Sequence, residues 1–377
     1  MHYDTIVIGA GSMGMAAGYF LSKSGQKTLL LDAFDPPHSN GSHHGDTRII
    51  RHAYGEGEQY VELALYAQEL WEELEKQSGE SLFLQTGVLN VGPKHSDFIQ
   101  NIISSANRYD LSLDVLNSEG VSQRWKGIKI PNDYIGCFEP ASGVLKCETC
   151  ISTYKKLAVE NGAHLAMNQR VSSVELSENE VMVKTPNSTY YANSLIITVG
   201  AWSSDLLSSI GINLPLQPTR KTFSWFQTDE NLYNDTTFPA FSFVTTNGTY
   251  YGFPSIDGAG LKVGRHDGGE PVHPSESMKP FGDGDQEDVS TFLETYMTAS
   301  DHTLTYGKTC MYTMTPDEDF IIDVHPNYSN VAIAAGFSGH GFKFSSAVGH
   351  MLSELITNGE TNQNISPFSL KRFIKGD

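Results

Sequence analysis

Apolar positions fall into two textures along the chain. The first is that of buried parallel strands and close-packed helices. Thr5 to Ile8 is a short apolar, β-branched run, and the small and apolar residues from Met13 to Lys23 suit a helix against a sheet. Gly25 stops that helix, and KTLLLD from Lys27 to Asp32 reads as the next strand. Leu63, Leu70, Trp71 and Leu74 mark one face of a helix in YVELALYAQELWEELEKQ. GVLNVG and YIGCFEP read as strands, CETCISTYKKLAVENG as a helix ending at Gly162, and SLIITVGAW as a further buried strand. The second texture runs from Leu216 to about Thr315. There RKTFSWFQT, TYYGFPS, GLKVG and GKTCMYTMT alternate aromatic and polar positions, which predicts an antiparallel sheet. Ser277 to Asp288 (SMKPFGDGDQED) is expected to be a loop. The first texture returns with DFIID and NVAIAAGFSGHGFKFSS.

The glycine turn gives the first texture a function. Gly9, Gly11 and Gly14 form G-x-G-x-x-G between strand and helix, and the second strand ends on the acid Asp32. Such a turn lets backbone approach a pyrophosphate at a helix N-terminus, with the acid placed for a ribose. NAD and FAD fit these residues equally. The expected fold is therefore α/β (α+β): a discontinuous Rossmann-like nucleotide-binding domain with an inserted β-rich antiparallel-sheet substrate domain. The boundaries expected are 1–85, 145–215 and 320–377 for the first, 86–144 and 216–319 for the second.

Composition narrows the function classes. Hydrophobic content of 39% indicates a globular chain, and no apolar run is long enough to predict a membrane span. With 44 acidic against 25 basic residues the formal net charge is −19, which disfavours nucleic acid and anionic membrane surfaces as partners. The first strand starts at Tyr3 or Asp4, where a cleaved signal would remove it, and four cysteines make no disulfide framework. A cytoplasmic protein is expected.

In so acidic a chain, GSHHGDTRIIRHAYGEG is conspicuous, for it gathers His43, His44, Arg48, Arg51 and His52. If helical, Arg48 and Arg51 share a face and can hold a carboxylate or phosphate. The alternative is a solvated basic face paired with Glu56 and Glu58. The histidines lack partners at metal-ligand spacing, so no metal is expected. Cys147 and Cys150 (CETC) read as two ordinary thiols on one helical face, and Cys310 by itself as an inert core thiol. Gly336, Gly339 and Gly341 surround His340 and Lys343 in a second glycine-rich turn after a strand. That turn offers backbone N–H groups to a cofactor, and Lys343 is either a catalytic cation or an exposed lysine.

Together VIGAGSMGMAAGYFL, DAFDPPHSNGSHHGDTRIIRHAYGEG, TCMYT, PDEDFIID and AAGFSGHGFKFSS resemble the monomeric sarcosine oxidase and N-methyltryptophan oxidase family, in order and over essentially the whole chain. The resemblance implies FAD rather than NAD, covalently attached through Cys310. It implies that Gly9, Gly11, Gly14 and Asp32 hold the ADP end, with Gly339 in the second turn. His44, Thr47 and Arg48 then lie at the flavin, and Arg51 and Lys343 hold a substrate carboxylate. Lys262 is linked to oxygen activation, Tyr251 and His266 shape the amine end, and Tyr312 faces the site as a substrate-binding residue. The implied reaction oxidises a secondary N-methyl amino acid with dioxygen, giving the amino acid, formaldehyde and hydrogen peroxide, in a monomer. The N-terminal third and FEPASGVL look closer to sarcosine oxidases; RKTFSWFQ and HDGGEPVHPSESMKPF look closer to N-methyltryptophan oxidases. Sarcosine is favoured, N-methyl-L-tryptophan or another secondary amino acid is the alternative, and Phe241 to Thr245 (FSFVT) is expected to line the substrate cavity.

Overall fold

The computed structural model describes residues 2–298 and 303–374. Its first sheet has a parallel centre in the order His164–Ala166, Thr28–Leu31, His2–Ile8, Thr189–Ile197 and Tyr328–Ala335. Ile321–His325 extends one side antiparallel, and the hairpin Ser173–Leu176 and Val181–Lys184 joins the N-terminal half of Thr189–Ile197. The central strands are apolar on both faces because both are covered. Val7, Leu30, Ile196 and Ala332 face the helices Ser12–Lys23, Cys147–Glu160 and Ser345–Thr357. Ile6, Ile8, Leu29, Leu31, Leu195 and Ile197 face the hairpin side with Val174, Val181 and Leu207.

The glycine turn joins the first strand to the first helix without spare room. Gly9 has φ +90, and a Cβ there would lie 2.5 Å from the Thr198 carbonyl oxygen. A Cβ on Gly14 would lie 1.9 Å from the Gly9 oxygen, so the helix packs directly on the strand end. Asp32 accepts hydrogen bonds from the N–H of Ala10 (2.7 Å) and of Phe34 (2.9 Å), tying the second strand to this turn.

The second sheet is larger. Its strands run in the order Glu270–Pro271, Gln217–Phe226, Leu261–Arg265, Gly248–Phe253, Ala240–Thr245, Val88–Pro93, Tyr134–Glu139 and Asp114–Asn117, with Leu304–Met314 paired to Gln217–Phe226. It is mixed rather than wholly antiparallel, because Ala240–Thr245 runs parallel to Val88–Pro93. Those strands come from separate excursions of the chain, so no hairpin joins them to impose opposite directions. One face buries Phe226, Phe241, Phe243, Tyr250, Leu261 and Val263 under the helix Asp283–Tyr296. That helix corrects the loop expected over Ser277 to Asp288, whose last residues are its first turn. Asp285 Oδ2 accepts from the Gly282 N–H (3.0 Å), and Asp283 and Asp285 complement the helix N-terminus. The acids and glycines that signal a loop are here the start of a helix.

A small third sheet pairs Thr47–Ile50 with Gly143–Lys146, which also pairs with Phe83–Leu84. Arg48 therefore lies on a strand, not a helix, in a β-branched run (Thr47, Ile49, Ile50) that favours extended backbone. Among the described residues no helix is long and apolar enough to cross a membrane. The tight glycine turn yields a test: Gly14→Ala should destabilise the protein by about 1–3 kcal/mol through overpacking. A thermal melt of the purified variant checks it, with a lower Tm expected.

Candidate active site

The two large sheets enclose a cavity of about 710 Å³, lined at one end by Gly9, Gly11 and Asp32 and at the other by Arg51, Tyr251, His266 and Lys343. The register of the second sheet explains what faces it. Residues directly opposite in adjacent strands project from the same face. One row across the sheet is Ser242, Tyr251, Gly264, Phe223 and Lys308. The next row on one side is Phe253, Lys262, Trp225 and Tyr306. On the other side Val244 lies opposite Thr249, and Lys221 opposite Cys310. His266 extends this row, its backbone N–H donating to the Thr249 carbonyl at 2.7 Å. One face of one sheet thus gathers Tyr251, Lys262, His266, Cys310 and, paired with Thr219, Tyr312. Gly264 keeps the middle open, since a Cβ there would lie 2.7 Å from the Tyr251 hydroxyl oxygen.

The same alternation corrects the expected lining by Phe241 to Thr245. Ser242 and Val244 line the cavity, whereas Phe241 and Phe243 point into the core behind the sheet.

The basic segment threads between the sheets and is held by its own carbonyls. Arg48 donates to the carbonyls of Thr47 (2.8 Å), Ser42 (2.9 Å) and His44 (2.9 Å). Lys262 Nζ donates to the Gly45 carbonyl, to the Thr47 carbonyl (3.0 Å) and to Thr47 Oγ1 (3.1 Å). Glu148, inside the CETC segment, accepts from the N–H of Gly45 at 2.7 Å and of Asp46 at 3.1 Å. Cys147 and Cys150 are buried at the start of that helix. Glu139 accepts from the backbone N–H of His52 (3.0 Å) and Ala53 (2.9 Å) and fixes the chain beyond Arg51. Arg51 Nη2 is paired with Glu56, while its Nη1 has no partner among the described residues. The expected solvated pairing with Glu56 and Glu58 holds only in part: Arg51, itself buried, pairs with the partly exposed Glu56, and Glu58 pairs with Arg108 instead.

Burial sets the protonation states. It pushes the Lys262 ammonium down to about 7, with Arg48 adding repulsion. Burial and the neighbouring Arg51 push Lys343 down to about 7 as well. The His266 ring falls to about 4, chiefly by burial, and is neutral near pH 7. Burial, with Arg48 next, takes His44 to about 4. Burial alone would raise the Glu56 carboxyl, but Arg51 beside it brings it to about 2, so it is ionised. Burial raises the Cys310 thiol despite the opposing pull of Arg48, Lys262 and Lys221. The cavity wall thus carries the guanidinium charges of Arg48 and Arg51 and two lysines that titrate near neutral pH.

Of the residues singled out in the sequence, Gly9, Gly11, Asp32, Arg48, Arg51, Tyr251, His266, Tyr312, Gly339 and Lys343 line the cavity. Gly14, His44, Thr47, Lys262 and Cys310 stand directly behind that lining, His44, Thr47, Lys262 and Cys310 buried in its wall. Lys343 is buried rather than an exposed lysine. Two residues escape a reading of the sequence. Lys221, buried and bonded to the carbonyls of His266 and Gly268, becomes visible only through its register opposite Cys310. Tyr54 sits in the basic segment but carries no charge to draw notice.

The residues present fit a flavin dinucleotide. The glycine turn forms a cradle that side chains would fill, the cavity runs on to a positive wall, and both ring nitrogens of buried His44 lack partners among the described residues. Comparison with known proteins agrees. Residues 4–355 match the family model described as FAD dependent oxidoreductase. A monomeric sarcosine oxidase from Bacillus sp. (strain NS-129) is 52% identical, covering 98% of this chain and 97% of that protein. An N-methyl-L-tryptophan oxidase from Escherichia coli (strain K12) is 42% identical, covering 99% and 100%. Among solved structures, NikD, an unusual amino acid oxidase essential for nikkomycin biosynthesis, aligns with a TM-score of 0.86 at 22% identity, over 98% of this chain and 97% of that one. L-proline dehydrogenase from P. horikoshii aligns with a TM-score of 0.84 at 23% identity, over 98% and 97%. These two show the shared fold. The matched residues, the identity over nearly the full chain and the cradle together establish that this chain belongs to the FAD-dependent oxidoreductase family.

Proposed function

We propose that this flavoprotein oxidises the N-methyl group of a secondary amino acid, with sarcosine as principal substrate, to glycine, formaldehyde and hydrogen peroxide. The observation that carries the reading is the pair of buried cations, Arg51 and Lys343, lining the same cavity as Tyr251 and His266. The identity to monomeric sarcosine oxidase supports the choice of substrate. N-methyl-L-tryptophan is the second reading, favoured by the 42% identity to its oxidase and by the small residues Ser242 and Thr249 on the cavity wall.

In this reading the substrate carboxylate takes the unpartnered Nη1 of Arg51 and an N–H of Lys343. Tyr251, Tyr312 and His266 bound the amine end, and neutral His266 can accept a proton there. The positive wall disfavours a second positive charge, so the substrate amine is bound in its neutral, oxidisable form. Gly9, Gly11, Gly14 and Asp32 hold the ADP end of FAD, Gly339 the second turn, and His44, Thr47 and Arg48 the ring. The chemistry supplied there by bound FAD would be that of a two-electron acceptor for a hydride equivalent from the N-methyl carbon, with dioxygen as the final acceptor. Lys262, its ammonium brought down to about 7 by burial, carries its charge on part of the molecules near neutral pH, and in that form it stabilises negative charge developing on oxygen. Hydrolysis of the oxidised N-methyl group releases formaldehyde. Attachment of FAD through Cys310 belongs to the proposal, as do a monomeric state, a cytoplasmic location and the division at residues 1–85, 145–215 and 320–377 against 86–144 and 216–319.

Peroxide formation by the purified protein, with sarcosine and with N-methyl-L-tryptophan over a concentration series, tests the function directly. A higher kcat/KM for sarcosine is expected; the reverse order would move the assignment to the tryptophan derivative, and no peroxide from either would end it. Lys262→Met should slow flavin reoxidation by about 10²–10³-fold while leaving reduction by substrate much less affected. Stopped-flow absorbance of the two half-reactions separates these, and equal losses would remove the oxygen role. Acid precipitation should leave the yellow colour with the protein pellet, and Cys310→Ser should release it to the supernatant.

A further inference from the structure

Tyr54, fully buried, lies between the two cations proposed to receive the substrate carboxylate. Its ring centroid is 4.6 Å from the Arg51 guanidinium carbon. Its hydroxyl is 3.0 Å from Lys343 Nζ and 2.8 Å from His340 Nδ1. Lys343 Nζ also donates to the His340 carbonyl at 2.9 Å, and His340 Nε2 is 3.2 Å from the Glu318 carbonyl oxygen. Every one of these side chains is buried.

The donor and acceptor inventory permits one direction for this chain. A carbonyl oxygen only accepts, so His340 Nε2 carries the hydrogen and donates to Glu318. Burial, with Lys343 adding repulsion, keeps the His340 ring neutral at neutral pH, its affinity for a second proton lowered to about 3. Nδ1 is therefore an acceptor and takes the Tyr54 proton. The Tyr54 oxygen, its hydrogen committed, turns a lone pair to Lys343. Two of the three ammonium hydrogens are thereby fixed, to Tyr54 and to the His340 carbonyl. The third is left for the cavity that Lys343 lines.

We infer that Tyr54 and His340 are positioning residues: through the ordered chain Lys343, Tyr54, His340, Glu318 carbonyl they orient the Lys343 ammonium and keep it charged for a carboxylate ligand. The inference rests on the reading of Arg51 and Lys343 as the carboxylate site. The charged and titratable groups facing Lys343 are Arg51, Arg48, Glu56, His266, Tyr54 and His340. Glu56 is the one anion among them, and Arg51 is paired with it. Glu56 aside, the Tyr54 oxygen and the His340 carbonyl are the two acceptors among the described residues in hydrogen-bond reach of the ammonium. Removing the Tyr54 oxygen lowers the lysine's proton affinity further, so the ammonium, present at low pH, is lost earlier as pH rises.

The test uses the full FAD-loaded protein and methoxyacetate, a carboxylate shaped like sarcosine but without an oxidisable amine. Binding is followed by the change in flavin absorption from about pH 6 to about pH 9 in wild type, Lys343→Met, Tyr54→Phe and His340→Phe. Tyr54→Phe keeps the ring beside Arg51 and removes only the acceptor. It is expected to raise Kd about tenfold or more near neutral pH, the size of a lost hydrogen bond to a charged group. The pH at which binding fades should move down, and KM for substrate should rise with kcat much less changed. His340→Phe should move the same quantities in the same direction, and it carries the test if Tyr54→Phe does not fold. If Lys343→Met weakens binding while both other variants, folded and loaded with flavin, keep the wild-type Kd and pH midpoint, the inference is overturned. If Lys343→Met leaves methoxyacetate binding unchanged, the carboxylate reading of the site itself fails and takes the inference with it.

Discussion

A buried cation must have its donors satisfied, and here most of them are satisfied by backbone carbonyls rather than by carboxylates. Arg48, Lys221, Lys262 and Lys343 all donate to main-chain oxygens. Among the described residues, Arg51 pairs with Glu56 and Arg220 with Asp285, both carboxylates partly exposed. An unpaired charge taken out of water is costly, but carbonyl dipoles recover much of that cost without cancelling the charge. The interior therefore keeps a positive field although the chain as a whole is acidic. Carboxylate partners in place of the carbonyls would hold the same side chains equally firmly and leave no attraction for an anionic ligand.

That constraint links the three sheets. The small sheet holds Arg48 on an extended strand, and the segment before it supplies the carbonyls of Ser42, His44 and Gly45. The second sheet presents Lys221 and Lys262 from one face, two rows apart. The first sheet brings its glycine turn and Asp32 to the other end of the same cavity. Glu139 and Glu148 fasten the connecting segment by its N–H groups, as the cations fasten it by its carbonyls. Donors and acceptors of one irregular stretch are thus both accounted for.

Much of this is legible in the sequence, because local signals there coincide with tertiary ones. The strand, glycine turn and helix from Thr5 to Lys23 are marked by apolar runs, tight-turn glycines and a stop at Gly25. The β-rich texture after Leu216 follows from period-two alternation. What is not legible depends on register. Nothing in the order of residues says that Lys221 faces Cys310, or that Ser242 rather than Phe241 meets the cavity. The strand at Arg48 is hidden by spacing that fits a helix equally well, and its pairing partner lies far along the chain. The helix at Asp283 is hidden because acids and glycines serve loops and helix N-termini alike. Tyr54 is silent for a third reason, since its importance lies wholly in its neighbours.

The strand Ala240–Thr245 carries two kinds of side chain in strict alternation, aromatic rings toward the core and Ser242 and Val244 toward the cavity. The two sets have no atoms in common beyond the backbone. Exchanges at the cavity positions can then alter ligand size while the rings beneath stay interlocked with Phe292. The centre of the same face has no such freedom, for Gly264 is held to a bare hydrogen by the Tyr251 hydroxyl. Cavity size in this scaffold can therefore drift at Ser242 and Val244, with the packing behind the sheet insulated from each change and stability little taxed by it.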